Sequence, residues 1–268
     1  MRQAGVRLCT DSSAQLPAEL ADSAGAIVVP VPLTVDGHSF EEGVDLDPDW
    51  FYERLVTGAH ATTSQPNPAR FLQAYDAAAD AGAQHVLSVH LSSRASGTVE
   101  SARTAARDAP LSVTVVDSGT TSFGVGICVL EAARAIAEGA SASEAAARVA
   151  RLAPRIGNVF VAAGAPGGRI PAASERPVYS FDGGIATQLA TTACDEDAVV
   201  VMAEHIARHA GPLAVAVGHA ASATRASADL LADSLMRTGV EVMRYRVGPS
   251  IGAHTGPDSF GAFWRPVD

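Results

Sequence analysis

"QHVLSVHLSSRASGTVESARTAARD", residues 84–108, decides the fold. Its first seven residues, 84–90, form an apolar run that reads as a buried strand. Its last twelve, 97–108, read as a helix. The stretch 90–98 that joins them carries four hydroxyl side chains, Ser92, Ser93, Ser96 and Thr98, and one glycine, Gly97, at the start of the helix. A strand, a short polar turn and a helix are the opening of a β-α-β unit, and the same pattern recurs on both sides.

Upstream, "VRLCT" (6–10) reads as a strand and "DSSAQLPAELADSAG" (11–25) as a capped helix stopping at Gly25. "AIVVPVPL" (26–33) is a further strand, at a sheet edge because its prolines cannot donate to a ladder. "PDWFYERLVTG" (48–58) is a short helix with Pro48 near its start. In "NPARFLQAYDAAADAG" (67–82), Asn67 caps a helix, Pro68 suits its first turn and Gly82 ends it. Downstream come a strand at "LSVTVVDS" (111–118) and an alanine-rich helix running to about Gly139. A second helix opens on a Ser141–Glu144 capping box, and "NVFVAA" (158–163) is a strand. Strands separated by helices imply a mostly parallel sheet with right-handed crossovers.

Beyond Gly164 the texture changes. "APGGRIPAASERP" (165–177) is a connector, and "VYSFDGGIATQL" reads as two short strands about a glycine turn. Strands at 213–220, 240–247 and 260–264, with a helix near 222–238, complete an α+β half. The expected organisation is an α/β domain over residues 1–163 and a smaller α+β domain over 164–268.

Composition narrows the function. The 268 residues are 47% hydrophobic and 18% charged, with a formal net charge of −10 and no lysine. That balance excludes the clustered cations a nucleic-acid binder needs. Cys9, Cys128 and Cys194 lie far apart without CxxC spacing, which suits a reducing cytoplasm and suggests no thiolate metal site. No apolar run reaches the roughly 18 residues of a membrane span, and the first residues lack a signal-peptide core. The eight histidines show no HExxH or HxH spacing, so no metal is expected. His205 and His209 read as a solvated helix face.

Hydroxyl-rich clusters fall where a parallel sheet places ligands, outside the carboxyl ends of strands. They are "TDSS" (10–13), "HLSSRASGT" (90–98) and "VDSGTTS" (116–122), with "TTSQPNP" (62–68) leading into a helix. Helix amino ends offer unpaired N–H groups and partial positive charge, so hydroxyls there suit an anion, although each cluster alone reads equally as helix caps and turns. Neither phosphate fingerprint, G-x-x-x-x-G-K-[ST] or G-x-G-x-x-G before a helix, is present. "GVGICV" (124–129) reads as a glycine-packed helix. Ser92 and Ser93 lack a G-x-S-x-G elbow. His254, in "IGAHTGPDSF", reads as lying in a glycine-rich turn.

"LCTDSSAQLP", "TTSQPNPARFLQAY", "LSSRASGTVESA", "VVDSGTTSFGVG", "GGRIP" and "IGAHTGPDSFGAFW" occur in that order over nearly the whole chain. Together they resemble the DegV family of bacterial fatty-acid-binding proteins. The resemblance implies a two-domain α/β fold that buries one long-chain fatty acid in an apolar tunnel, its carboxylate clamped at the domain interface. It also implies a carrier without chemistry of its own and without a cofactor beyond the bound acid. Carried over residue by residue, the carboxylate ligands are Thr63, Ser93 with Ser92 as its neighbouring candidate, and His254. Arg169 of GGRI lies in the same polar neighbourhood. Some family members present the bound acid to a separate kinase that makes acyl phosphate for phospholipid synthesis.

The chain departs from the family pattern in four places. Arg94-Ala95 precede Ser96-Gly97 where LSG is common, the segment after GGRI is shortened to "PAASERPVYSF", and Asp258 follows HTGP where glycine is usual. The basic segment linked to kinase docking is replaced by "IATQLATTACDED" (185–197), neutral and then acidic. Two other functions compete with the carrier. One is a serine hydrolase using Ser93 and His254 with Asp11 or Asp117, and the other a binder of a different small carboxylate or phosphorylated metabolite.

Overall fold

The computed structural model describes residues 5–162, 175–182 and 185–267. They form thirteen strands and nine α-helices, and the chain divides into two compact units. The first unit comprises residues 1–32, 41–44 and 63–155. The second comprises 33–40, 45–62 and 156–268, so it draws two segments from the first half of the chain.

In chain order the elements begin with β1 (Val6–Asp11), α1 (Ala18–Ala24), β2 (Ala26–Val29), β3 (Pro32–Val35) and β4 (His38–Glu41). Next come α2 (Pro48–Val56), β5 (Ala61–Thr63), α3 (Pro68–Asp80), β6 (His85–His90), α4 (Thr98–Ala106) and β7 (Ser112–Asp117). They are followed by α5 (Phe123–Ala137), α6 (Ala142–Leu152), β8 (Gly157–Val161), β9 (Arg176–Asp182) and β10 (Ile185–Thr192). The chain closes with α7 (Asp195–Ala207), β11 (Leu213–His219), α8 (Arg225–Met236), β12 (Glu241–Arg246), α9 (Pro249–Thr255) and β13 (Phe260–Pro266).

The sheet of the first unit is wholly parallel, order β2-β1-β6-β7. Ser88 and His90 of β6 point to the face covered by α3 and α4, where Tyr75 bonds Ser88 and the Phe71 ring meets His90 edge-on at 5.0 Å. The helices end where their caps dictate. Asn67 accepts the Arg70 N–H, and Ser141 and Glu144 form the reciprocal capping box. α5 is buried over its first seven residues, and a β-carbon on Gly126 would fall 2.7 Å from the carbonyl oxygen of Ala14. The glycines of "GVGICV" therefore serve close packing.

The sheet of the second unit is mixed, order β10-β9-β8-β13-β11-β12, and only its β11–β12 pair is parallel. Its core is made of Val159, Val161, Val178, Met202, Ile206, Val215, Leu231, Leu235, Phe260 and Trp264, among others. The backbone pairing of β8 with β9 joins Phe160 to Tyr179 and Val161 to Val178. Two residues further, the Asn158 side chain takes over: its Nδ2 donates to the Phe181 carbonyl and its Oδ1 accepts the Phe181 N–H, both at 2.7 Å.

Several expectations give way to local chemistry. Residues 11–25 are not one helix. A 3₁₀ turn at Ser12–Ala14 ends at Gln15, which is left-handed at φ 56°, and α1 starts only after Pro17. "AIVVPVPL" splits at Pro30 into β2, an edge strand of the parallel sheet, and β3, in a separate three-stranded sheet of order β4-β3-β5. β3 and β4 are joined by Asp36-Gly37, both at positive φ (48° and 84°), the signature of a type I′ hairpin turn. β5 takes up the first residues of "TTSQPNP", which read as loop. β9 and β10 are seven and eight residues long rather than short. His205 is half-buried with its ring edge-on to Trp264, 5.9 Å away, so its face is not simply solvated.

Candidate functional site

In the parallel sheet the strand order reverses between β1 and β6, because β2 lies on one side of β1 while β6 and β7 follow on the other. Open α/β sheets bind ligands outside the carboxyl ends of their strands at that reversal. The segments there are Asp11-Ser12-Ser13 after β1 and Leu91-Ser92-Ser93 after β6, flanked by Asp117–Thr120 after β7. Three of the four hydroxyl clusters therefore share one edge of one sheet.

Hydrogen bonds set this edge. Ser92 is buried, and its N–H donates to the Thr120 carbonyl at 2.8 Å. Ser118 N–H donates to the His90 carbonyl at 3.0 Å. Ser93 is exposed, and its N–H donates to Oδ1 of Asp117 at 3.2 Å, an oxygen that also takes the Gly119 N–H at 3.0 Å. The Ser93 backbone is thus committed to a carboxylate, which leaves its hydroxyl as the group able to meet a further anion.

The fourth cluster joins the same neighbourhood. Thr63 ends β5 half-buried, and the next residue, Ser64, donates its N–H to the Pro32 carbonyl at 3.1 Å. Gln65 then lies over Gly97: a β-carbon there would sit 1.8 Å from Gln65 Oε1. The Gln65 side chain thus covers Gly97, and a side chain at position 97 would have to push that amide aside. After β7 the backbone is unusual as well, since Ser122 sits buried at φ 50°, ψ −140°, just before α5. A non-glycine residue there stores on the order of 1–3 kcal/mol of strain.

In the second unit, His254 lies in the last turn of α9, not in a turn. Gly248 precedes the helix, Pro249 opens it, and Gly256 at φ 84° ends it. Gly252 lets the helix pack on α2, where a β-carbon would come 2.4 Å from Oη of Tyr52. His254 is solvent-accessible, and desolvation by the surrounding protein holds its pKa below the usual 6.5. Arg169 and the rest of GGRIP lie outside the described residues.

The acids of the hydrolase alternative are otherwise engaged. Asp11 is fully buried and bonded to His90, and Asp117 holds backbone N–H groups. Burial pushes the Cys9 and Cys128 thiols up to about 12, which removes them as nucleophiles at neutral pH. Among the described residues no group of three His, Cys, Asp or Glu side chains could hold a metal, and no helix is long and apolar enough to cross a membrane.

An α/β protein of two units with an anion-suited edge at its parallel sheet is the class that this geometry defines. The chain belongs to the DegV family, whose model, described as "Uncharacterised protein, DegV family", matches residues 5–267. A DegV domain-containing protein of Streptomyces coelicolor is 34% identical over 273 residues, covering 96% of each chain. A DegV family protein from Thermus thermophilus, its structure described as one of fatty acid binding, superposes with a TM-score of 0.88 at 28% identity, covering 100% of both chains. A DegV lipid-binding protein from Thermotoga maritima shares the fold, with a TM-score of 0.90 at 21% identity over 98% of this chain and 99% of its own.

Proposed function

We propose that the protein binds a single long-chain fatty acid in an apolar tunnel and clamps its carboxylate at the domain interface with Thr63, Ser93 and His254. Ser92 and Arg169 complete the polar surroundings. The observation that carries this reading is the gathering of hydroxyl clusters at the strand-order reversal, in a chain 28% identical to a fatty-acid-binding DegV protein over its whole length. A buried carboxylate needs donors, because desolvating it alone costs several kcal/mol. Two hydroxyls and an imidazole N–H supply them. The protein acts as a carrier in the cytoplasm and needs no cofactor.

Presentation to a fatty acid kinase that forms an acyl phosphate extends the reading. The face offered to that kinase differs from the basic one of the family pattern, since residues 185–197 hold no Lys or Arg and α7 opens on Asp195, Glu196 and Asp197. Complementary charge chiefly sets on-rates and specificity, so a foreign kinase matched to a basic segment should act slowly here.

Native mass spectrometry of the purified protein, followed by organic extraction, should release a long-chain acid. Thr63→Ala, Ser93→Ala and His254→Ala should each weaken binding roughly tenfold to a hundredfold, the loss of one hydrogen bond to a charged group. Because the pKa of His254 is low in the free protein and a carboxylate partner would raise it, binding takes up a proton. Affinity should therefore rise as pH falls from neutrality toward the lowered pKa of His254, and His254→Gln should flatten that profile. Ester turnover abolished by Ser93→Ala would favour the hydrolase instead.

A further inference from the structure

Four side chains run in line through the interior of the first unit. Tyr75 Oη lies 3.0 Å from Ser88 Oγ, Ser88 Oγ lies 2.7 Å from His90 Nε2, and His90 Nδ1 lies 2.7 Å from Asp11 Oδ2. All four residues are fully buried. The other oxygen of Asp11 accepts the Ser13 N–H at 3.1 Å and the Ser13 hydroxyl. A carboxylate only accepts, so His90 Nδ1 carries the hydrogen. The order Asp–His–Ser is that of a hydrolytic triad, yet Ser88 has no exposed surface at which to meet a substrate.

The place of the chain in the fold says more than its order. Backbone pairing between β1 and β6 runs from Val6–His85 to Cys9–Ser88 and stops there. Beyond that point two side-chain bonds continue the tie. Thr10 Oγ1 donates to the Val89 carbonyl at 2.8 Å, and His90 Nδ1 donates to Asp11. These are the two strands between which the order reverses. His90 is the last residue of β6, three before Ser93, and Asp11 leads directly into Ser12 and Ser13. A low-dielectric interior strengthens the bond and makes its loss costly.

We infer that Asp11 and His90 are positioning residues for the carboxylate clamp: their bond holds the ends of β1 and β6 together where the ladder has ceased, and so fixes the segment from which Ser93 projects. The inference rests on the fatty-acid reading above. Its test pairs two substitutions of one ring. His90→Asn keeps an amide N–H near the position of Nδ1 and retains the bond to Asp11. His90→Gln places its amide near Nε2, keeping Ser88 and losing Asp11.

Calorimetric titration of delipidated protein with palmitate should find His90→Asn within about threefold of wild type and His90→Gln weaker by about tenfold or more. The melting temperatures of both should fall together, because each removes a buried ring. A purely structural role would move both affinities alike, so equal binding by the two variants overturns the inference. Should His90→Gln fail to fold, Asp11→Ala carries the test. It removes the acceptor for Nδ1, and wild-type affinity in it overturns the inference. Wild-type protein that takes up no palmitate removes the fatty-acid reading and this proposal with it, whereas binding by wild type with equal variants removes the positioning role alone.

Discussion

Under α3 and α4, the core of the first unit sets Phe71 and Tyr75 among small residues such as Ala74, Ala78, Ala102 and Ala105, with Ser88, His90 and Asp11 buried beside them. The core of the second unit, on the mixed sheet, is built mainly from Val, Leu, Ile, Met, Phe and Trp, with Ala198, Ala228, Ala232 and Ala262 between them. Every buried Asp, Glu or His among the described residues, namely Asp11, Glu42, His90 and Glu131, belongs to the first unit. Burying such groups is costly unless each finds partners, and the partners impose direction in a way that apolar contact does not. The first unit gives up part of its apolar packing for fixed orientation at the strand-order reversal. The second buries no Asp, Glu or His among the described residues, although its sheet holds the buried amide of Asn158.

The largest effect that would break this contrast belongs to a backbone contact. Gly261 of β13 faces β8 so closely that a β-carbon would lie 2.4 Å from the Val159 carbonyl oxygen and 2.6 Å from Phe160 Cα. Neither atom can move without unseating the sheet, so Gly261→Ala should cost about 3 kcal/mol or more in urea denaturation.

Next comes the contrast itself. Leu231→Ala, which empties a site in the apolar core, should cost about 2–5 kcal/mol. Tyr75→Phe removes one hydroxyl from the buried chain and should cost only about 0.5–1.5 kcal/mol, since Ser88 keeps His90. Equal losses would mean that the polar chain stabilises as much as the apolar core does.

The two units should also differ in acid. Desolvation lowers the pKa of His85 in the first unit and of His205, His219 and His254 in the second. A histidine whose folded pKa lies below its unfolded value of about 6.5 binds fewer protons folded than unfolded. Stability is then unaffected above that value and declines as pH falls below it. Thermal melts should therefore drop between pH 7 and 5, and His219→Gln should make the slope shallower. The carboxyls of Asp36 and Asp49, held low by hydrogen bonds from Arg54 and Arg246, act only at still lower pH. A wild-type melting temperature that stays level from pH 7 to 5 would break the prediction.

The smallest effect concerns Ser122. Glycine tolerates φ 50°, ψ −140°, so Ser122→Gly should relieve strain and raise stability by up to about 1 kcal/mol. An unchanged or lower midpoint would show that the serine contributes more there than its backbone costs.

Local chemistry made much of this legible in the chain. Asn67 before Pro68, the Ser141–Glu144 pair and the Gly82 and Gly139 stops each mark a helix end through neighbouring residues, and each stands where expected. Asp36-Gly37 is an equally plain hairpin signal between alternating apolar residues, and Pro30 marks the break between two sheets. α9 has proline at its start and glycine at its end, yet its internal Gly252 made it look like a turn. The site divides the same way. Thr63, Ser93 and His254 stand in short motifs that a resemblance can carry. The bond from Asp11 to His90 spans 79 residues, and no spacing rule reaches that far.

The Asn158 amide has a consequence in time rather than in energy. Where other ladder positions are held by a neighbouring backbone, Phe181 is held at both its N–H and its carbonyl by one side chain. A single rotation about χ1 of Asn158 therefore frees the Phe181 N–H and carbonyl on the β8 side while β9 stays paired with β10. Proton exchange at the Phe181 amide should report this opening alone, faster than at Val215 or Ala262 in the middle of the sheet, and Asn158→Ala should leave it continuously open.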